Sequence, residues 1–211
     1  MSKKSFGILL VVMMLVIGGA CAEEDVSIVL RAPETPQATQ SAQDDPDRLA
    51  QPVYQFDYPD TLVTYGGEDR SIATSGGAAV VLSMALEAMG VTEPHDPATL
   101  FMWAVDNHKY HGNGLGLYTI TDLAKEFGFR WKWAEMDRTD IVDTLEAGHP
   151  IIAYVAQNHF SEAYVLLVGL NDEGRLLVND PNSKPKTEEQ SYRSRQIIHW
   201  LGRPDGFLIC K

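Results

Sequence analysis

An α+β fold follows from three features of this 211-residue sequence. Its helical periodicities crowd into the first part of the folded region. Its strand periodicities crowd into the second, and the turn Asn171-Asp172-Glu173-Gly174 folds two of those strands back on each other. Helices first and antiparallel strands after mark an α+β domain, whereas a parallel sheet needs the two to alternate.

The chain opens with a targeting segment over residues 1–22. Lys3 and Lys4 precede an apolar run from Phe6 to Ile17, and small residues Gly18 to Ala22 follow. That is a charged region, a hydrophobic region and a cleavage zone, and the apolar run is short for a membrane span. Cleavage after Ala20-Cys21-Ala22 gives a free secreted protein. Alternatively, Cys21 becomes the lipid-bearing first residue of a bacterial lipoprotein, anchored to the membrane through that lipid. Residues 23–52 are rich in Glu, Asp, Gln, Pro, Thr and Ser without helical or strand period, so they are expected to be a disordered linker. The folded domain is expected over 53–211.

Within it, Gly77 to Met89 is apolar nearly all round, which marks a helix inside a domain, and Gly90 stops it. Asp96 and Pro97 are an N-cap and first helical position. Leu100, Phe101, Trp103 and Ala104 give the helix they start its buried face. After the glycine-rich loop His111 to Gly116 a third helix is predicted over Tyr118–Phe127, stopped by Gly128. Phe129, Trp131 and Trp133 alternate with Arg130 and Lys132, the period of a strand. A fourth helix is predicted over Thr139–Ala147. Strands follow at Pro150–Ala156, Ala163–Leu170 and Arg175–Asn179, then a helix over Glu188–Leu201 and a strand over Gly206–Cys210.

A formal net charge of −12 argues against nucleic acid as a partner, because phosphate binding needs clustered Lys and Arg. It argues equally against electrostatic binding to anionic lipid. Cys21 and Cys210 are the two cysteines, so no disulfide framework is expected. Cys210, at the end of a strand, reads as a small apolar residue rather than a nucleophile, since nothing there lowers its pKa.

The order of a helical lobe before an antiparallel sheet resembles the papain-like fold. Five stretches, in order, resemble the bacteriocin-processing, double-glycine-leader peptidases, the thirty-ninth family of cysteine peptidases. They are Tyr54 to Asp60, Ser71 to Gly76, Glu146 to Ile152, Tyr164 to Leu170 and Gly174 to Ser183. In that family a cysteine begins the buried helix, where the helix N-terminus and a histidine stabilise its thiolate. An Asp or Asn orients the histidine, and a glutamine donates to the oxyanion. Position by position, the resemblance puts the glutamine at Gln55 and the orienting acid at Asp180, both retained. The nucleophile falls on Gly77, within Ser75-Gly76-Gly77-Ala78, and the histidine falls on Ala163. A glycine carries no nucleophile and an alanine no base.

Other candidates carry simpler explanations. Ser75 is either a substitute nucleophile, which would need a base, or a turn residue. His159 is a loop histidine four residues before Ala163. Asp106, His108 and His111 have the spacing of a weak metal motif without a fourth ligand, and no metal or other cofactor is expected. Trp131 and Trp133 read as packing residues before a carbohydrate platform. The reading that follows is an extracytoplasmic, catalytically inactive pseudopeptidase. It holds a peptide or protein segment in a cleft made by Gln55, Ser75, Gly76, Gly77, Ala163, Tyr164 and Asp180. The alternatives are an active peptidase or amidase using Ser75, and a structural module with no ligand.

Overall fold

The computed structural model of the chain describes residues 27–28, 48–156, 160 and 164–210. The leader with Cys21, most of the expected linker, His159 and Ala163 lie outside the described residues.

The first elements form a small antiparallel sheet. β1 (Ser27–Ile28) pairs with β2 (Thr61–Tyr65), and β2 pairs with β3 (Glu68–Ser71). The β2–β3 hairpin was not among the elements expected. Its two-residue turn is Gly66-Gly67, with φ of +57° and +80°. Successive left-handed residues match the twist of the flanking strands, and glycine reaches them without steric cost.

Packing also begins earlier than the expected boundary at residue 53. Ala50 is buried, and the Leu49 N–H donates to the Val168 carbonyl at 2.7 Å. The Arg48 guanidinium bonds Asn179 Oδ1 at 2.6 Å and the Thr187 carbonyl at 2.5 Å. The polar composition of residues 23–52 hid this, because three docking residues do not alter a thirty-residue average.

Helices come next. α1 (Ile72–Ser75) is one turn, started by Ser71, whose N–H donates to Thr74 Oγ1 at 2.9 Å. α2 (Gly77–Ala88) is buried at every position from Gly77 to Leu86. Val80 and Val81 are weak helix formers, and it is burial on all sides that stabilises the helix around them. α3 (Pro97–Asp106) is capped by Asp96, whose carboxylate accepts from the Ala98 and Thr99 N–H groups at 3.1 Å each. α4 (Leu117–Glu126) ends before Gly128 at φ +80°. α2, α3 and α4 pack against one another as the helical lobe.

β4 (Trp131–Ala134) and α5 (Arg138–Glu146) lead into the main sheet. Asp137 and Asp140 cap α5 reciprocally, each carboxylate accepting the other's N–H, at 2.9 and 3.1 Å. β5 (Ile151–Tyr154), β6 (Tyr164–Leu170) and β7 (Leu176–Asn179) follow. Then come α6 (Lys184–Glu188), α7 (Ser194–Trp200) and β8 (Phe207–Cys210). The five strands are antiparallel in the order β4-β8-β5-β6-β7.

Two hydrophobic clusters sandwich this sheet. Ile152, Tyr164, Leu166, Val168, Leu177 and Leu208 face α2 and the helical lobe. Ile151, Ala153, Val165, Leu167, Val178 and Phe207 face the other way, where α5 and α7 supply Ile141, Leu145 and Ile197. Burial on both faces explains why these strands read as apolar runs rather than alternations.

The helix expected over Glu188–Leu201 is not one helix. Ser183 and Pro185 start α6 early, and the chain then leaves helical geometry so that Tyr192 bridges the edge strand β7. The Leu176 and Tyr192 backbones exchange hydrogen bonds of 2.7 and 3.0 Å. An edge strand with unpaired backbone groups offers partners that an uninterrupted helix would forgo.

Candidate functional site

The position to which the sequence assigned a nucleophile is the first residue of α2. Gly77 is buried there, and Gly76 serves as C-cap of α1 and N-cap of α2. Gly76 has no room for a side chain. A Cβ on it would lie 2.5 Å from both Cα and Cγ2 of Ile72. The tight junction therefore requires glycine at 76 for packing, with φ at an ordinary −101°.

Gln55 sits in a single 3₁₀ turn, Gln55–Asp57, and is 4% exposed. Its backbone N–H donates to the Pro181 carbonyl at 2.8 Å, and its side-chain Nε2 donates to the Ala73 carbonyl at 3.0 Å. One residue thus connects the turn before α2 with the end of β7. Its Oε1 is buried without a hydrogen-bond partner among the described residues.

Asp180 follows β7 directly and is 1% exposed. Its carboxylate accepts the Asn182 N–H at 2.9 Å, and its own N–H donates to Thr187 Oγ1 at 2.8 Å. Neighbouring Asn179 donates to the Ala50 carbonyl at 3.1 Å and touches the Met84 sulfur of α2. Gln55 thus links the α1 turn to Pro181, the residue after Asp180. Ala163, the fourth position, lies outside the described residues. Tyr164, one residue on, is buried against Tyr154 with ring centroids 5.4 Å apart.

Ser75 is held by its surroundings. Its hydroxyl lies 3.2 Å from the Ser71 carbonyl and 2.9 Å from the Tyr110 hydroxyl. Burial pushes the Tyr110 phenol above its usual range, and the bond from Ser75 offsets part of that. A phenol that stays protonated is no general base at neutral pH.

The glycine-rich loop contributes more than its sequence suggested. Gly114 passes so close to Ser75 that a Cβ would lie 2.7 Å from the Ser75 carbonyl oxygen, and Gly112 packs equally close on the Tyr65 ring. Both glycines have positive φ, +83° and +95° for 112 and 114. The loop lies over the α1–α2 junction and hands on to Tyr118, which is 74% exposed. Phe56, beside Gln55, is 47% exposed. Neither aromatic was singled out from the sequence. Each lies off the buried stripe of its own helical turn, and that was the available signal.

The remaining candidates stay apart from this constellation. Cys210 is half-buried in β8, and burial raises its thiol pKa. Among the described residues no three His, Cys, Asp or Glu side chains come together as a metal site. Trp131 and Trp133 pack on the helical-lobe side of the sheet, and the Arg203 guanidinium lies 5.7 Å from the Trp133 ring. No described helix is long and apolar enough to cross a membrane.

The Peptidase_C39 like family matches residues 55–200 of the chain. Among solved structures, the peptidase domain of Streptococcus ComA, a bifunctional ABC transporter involved in quorum sensing, is 20% identical with a TM-score of 0.48. The match covers 64% of this chain and 90% of that one. A double-glycine-motif protease from an AMS/PCAT transporter, solved in complex with the leader peptide, is 15% identical with a TM-score of 0.41, over 63% and 81% of the two chains. No curated protein matches at a significant level.

Proposed function

The chain belongs to the Peptidase_C39 like family, and from that membership we propose that it is a catalytically inactive member that binds a peptide or protein segment in the former active-site cleft. The observation that carries this reading is Gly77 at the N-terminus of the buried helix α2. That is where a helix would stabilise a thiolate, and no side chain is there to ionise.

Further support comes from the neighbours. Gln55 and Asp180, the two supporting positions that the resemblance retains, are both buried, and Gln55 bonds both the α1 turn and Pro181, which supports a kept frame around Gly77. The Ser75 hydroxyl is engaged by Ser71 and Tyr110, which speaks for a structural role. Exposed Phe56, next to Gln55 in sequence, and Tyr118, in the first turn of α4, offer apolar contact to a bound segment. The leader sequence supports an extracytoplasmic location, with Cys21 as the lipid-bearing residue.

Two experiments test the reading. The wild-type chain is expected to show no peptidase or amidase activity above background, because nucleophile and base are both missing. In the variant carrying Gly77→Cys and Ala163→His, the new thiol is alkylated at neutral pH faster than Cys210, whose burial keeps it protonated. Wild-type hydrolysis abolished by Ser75→Ala overturns the proposal. Alkylation of the variant no faster than that of Cys210 overturns the assignment of Gly77. For the anchor, Cys21→Ser releases the chain from membranes, and unchanged fractionation sinks the lipoprotein reading.

A further inference from the structure

Away from the α2 junction, a groove runs between α5, the β6–β7 turn and α7. It encloses about 760 Å³ and continues into a second lobe of about 560 Å³ beside Tyr192 and Trp200. The turn lies at the far end of β6 from Tyr164, roughly 20 Å away at strand rise. This surface is therefore distinct from the cleft at Gly77.

Four arginines line the groove: Arg138, Arg175, Arg193 and Arg195. The chain has 17 Lys and Arg against 29 Asp and Glu, so four arginines in one groove reverse the sign of the surrounding molecule. Glu173 and Glu189 also line it, and only Glu173 engages an arginine, its Oε2 3.4 Å from Arg175 Nε. No described carboxylate pairs with Arg138, Arg193 or Arg195.

Arg138 opens α5 beside its capping carboxylates Asp137 and Asp140, whereas Arg193 and Arg195 open α7, whose first turn holds no acid.

We propose that this groove binds an acidic peptide segment, its carboxylates gripped by the arginine forks. Guanidinium groups match carboxylates in two-point geometry. Two connected lobes sharing Arg175, Arg193 and Arg195 fit an extended chain better than a single ion. Ile198, Tyr192 and Trp200 add apolar wall for the stem of such a chain. The inference is independent of what occupies the Gly77 cleft.

Fluorescence anisotropy with a labelled hexaglutamate peptide tests it on the full chain. The wild type and a variant with Asp44, Asp45 and Asp47 changed to Asn are measured together, so that the chain's own acids do not mask the groove. Saturable binding that weakens with salt is expected in the second at least, with no binding of hexalysine. Arg193→Gln with Arg195→Gln lowers affinity at least tenfold, and Lys at both positions gives an intermediate loss. Arg130→Gln, on an exposed position elsewhere, leaves binding unchanged. Circular dichroism confirms that the exposed Arg193 and Arg195 are replaced without unfolding. The proposal is overturned by absent binding in both chains, by full affinity in the glutamine variant, or by pyrophosphate or phosphatidylglycerol vesicles binding where the peptide does not.

Discussion

The side-chain amide of Gln55 donates to the Ala73 carbonyl across 3.0 Å, while its oxygen, equally buried, has no described partner. Gln55→Ala leaves the Ala73 carbonyl unpaired and is expected to cost roughly 1–3 kcal/mol. Gln55→Glu is expected to be worse and pH-dependent. Burial raises the folded pKa of the new carboxyl, so its neutral form is the stable one. The penalty is then small at acid pH and grows as pH rises past the unfolded carboxyl value of about 4.3. Urea denaturation at pH 4 and pH 7 reads both effects. A variant equally stable at the two pH values contradicts the burial argument.

At the α1–α2 junction, Gly76→Ala forces a methyl into Ile72, which is itself 1% exposed. Overpacking of this kind typically costs about 1–3 kcal/mol. The same change should shift the start of α2 and lower alkylation of a cysteine placed at residue 77. A melting temperature matching the wild type would show that the junction can relax.

Ser75 and Tyr110 are predicted to be coupled. Ser75→Ala and Tyr110→Phe each remove one side of their 2.9 Å hydroxyl pair. The double-mutant cycle should give a coupling of roughly 0.5–1.5 kcal/mol. Additive losses would mean that the pair contributes nothing.

Alkaline pH should unfold the chain through its tyrosines. Burial raises Tyr54, Tyr58, Tyr110 and Tyr192, and Tyr192 is pushed up to about 12 by burial and then by the charge of Asp180. The folded state favours the neutral phenols, so their contribution is whole below the unfolded value of about 10. For Tyr192 it is lost as pH climbs from there toward 12. Tyrosinate absorbance should rise together with loss of tertiary circular dichroism, and Tyr192→Phe should flatten part of the decline. Titration of all eight tyrosines at an ordinary pH without unfolding contradicts this.

Legibility from sequence varied with how local the signal was. α2 was readable because an unbroken apolar run with a glycine stop determines its own structure, and α3 because Asp96-Pro97 is a local cap. The β2–β3 hairpin was missed although Gly66-Gly67 is a turn signal. Polar residues of β3 such as Glu68 and Asp69 gave no alternating face. The split between α6 and α7 was invisible because its cause, the open edge of β7 at Leu176, lies elsewhere in the chain. Gln55 and Asp180 were assigned only through family resemblance, and composition alone would have left both as ordinary polar residues. The arginine groove was unreadable for a related reason. Its four members come from positions 138, 175, 193 and 195, which only the tertiary fold gathers.

The strand order has a bearing on how the molecule is made. β8 is the last strand in the chain yet lies inside the sheet, pairing Trp131 with Cys210 on one side and Ile152 with Leu208 on the other. Until Phe207 to Cys210 emerge, β4 has no neighbour and β5 presents an open flank. A polypeptide appearing residue by residue therefore cannot close its sheet early, and the slow search for long-range partners is deferred until β8 has been made. With β8 still unpaired, β4 and β5 are held only loosely, so the sheet locks in one late step.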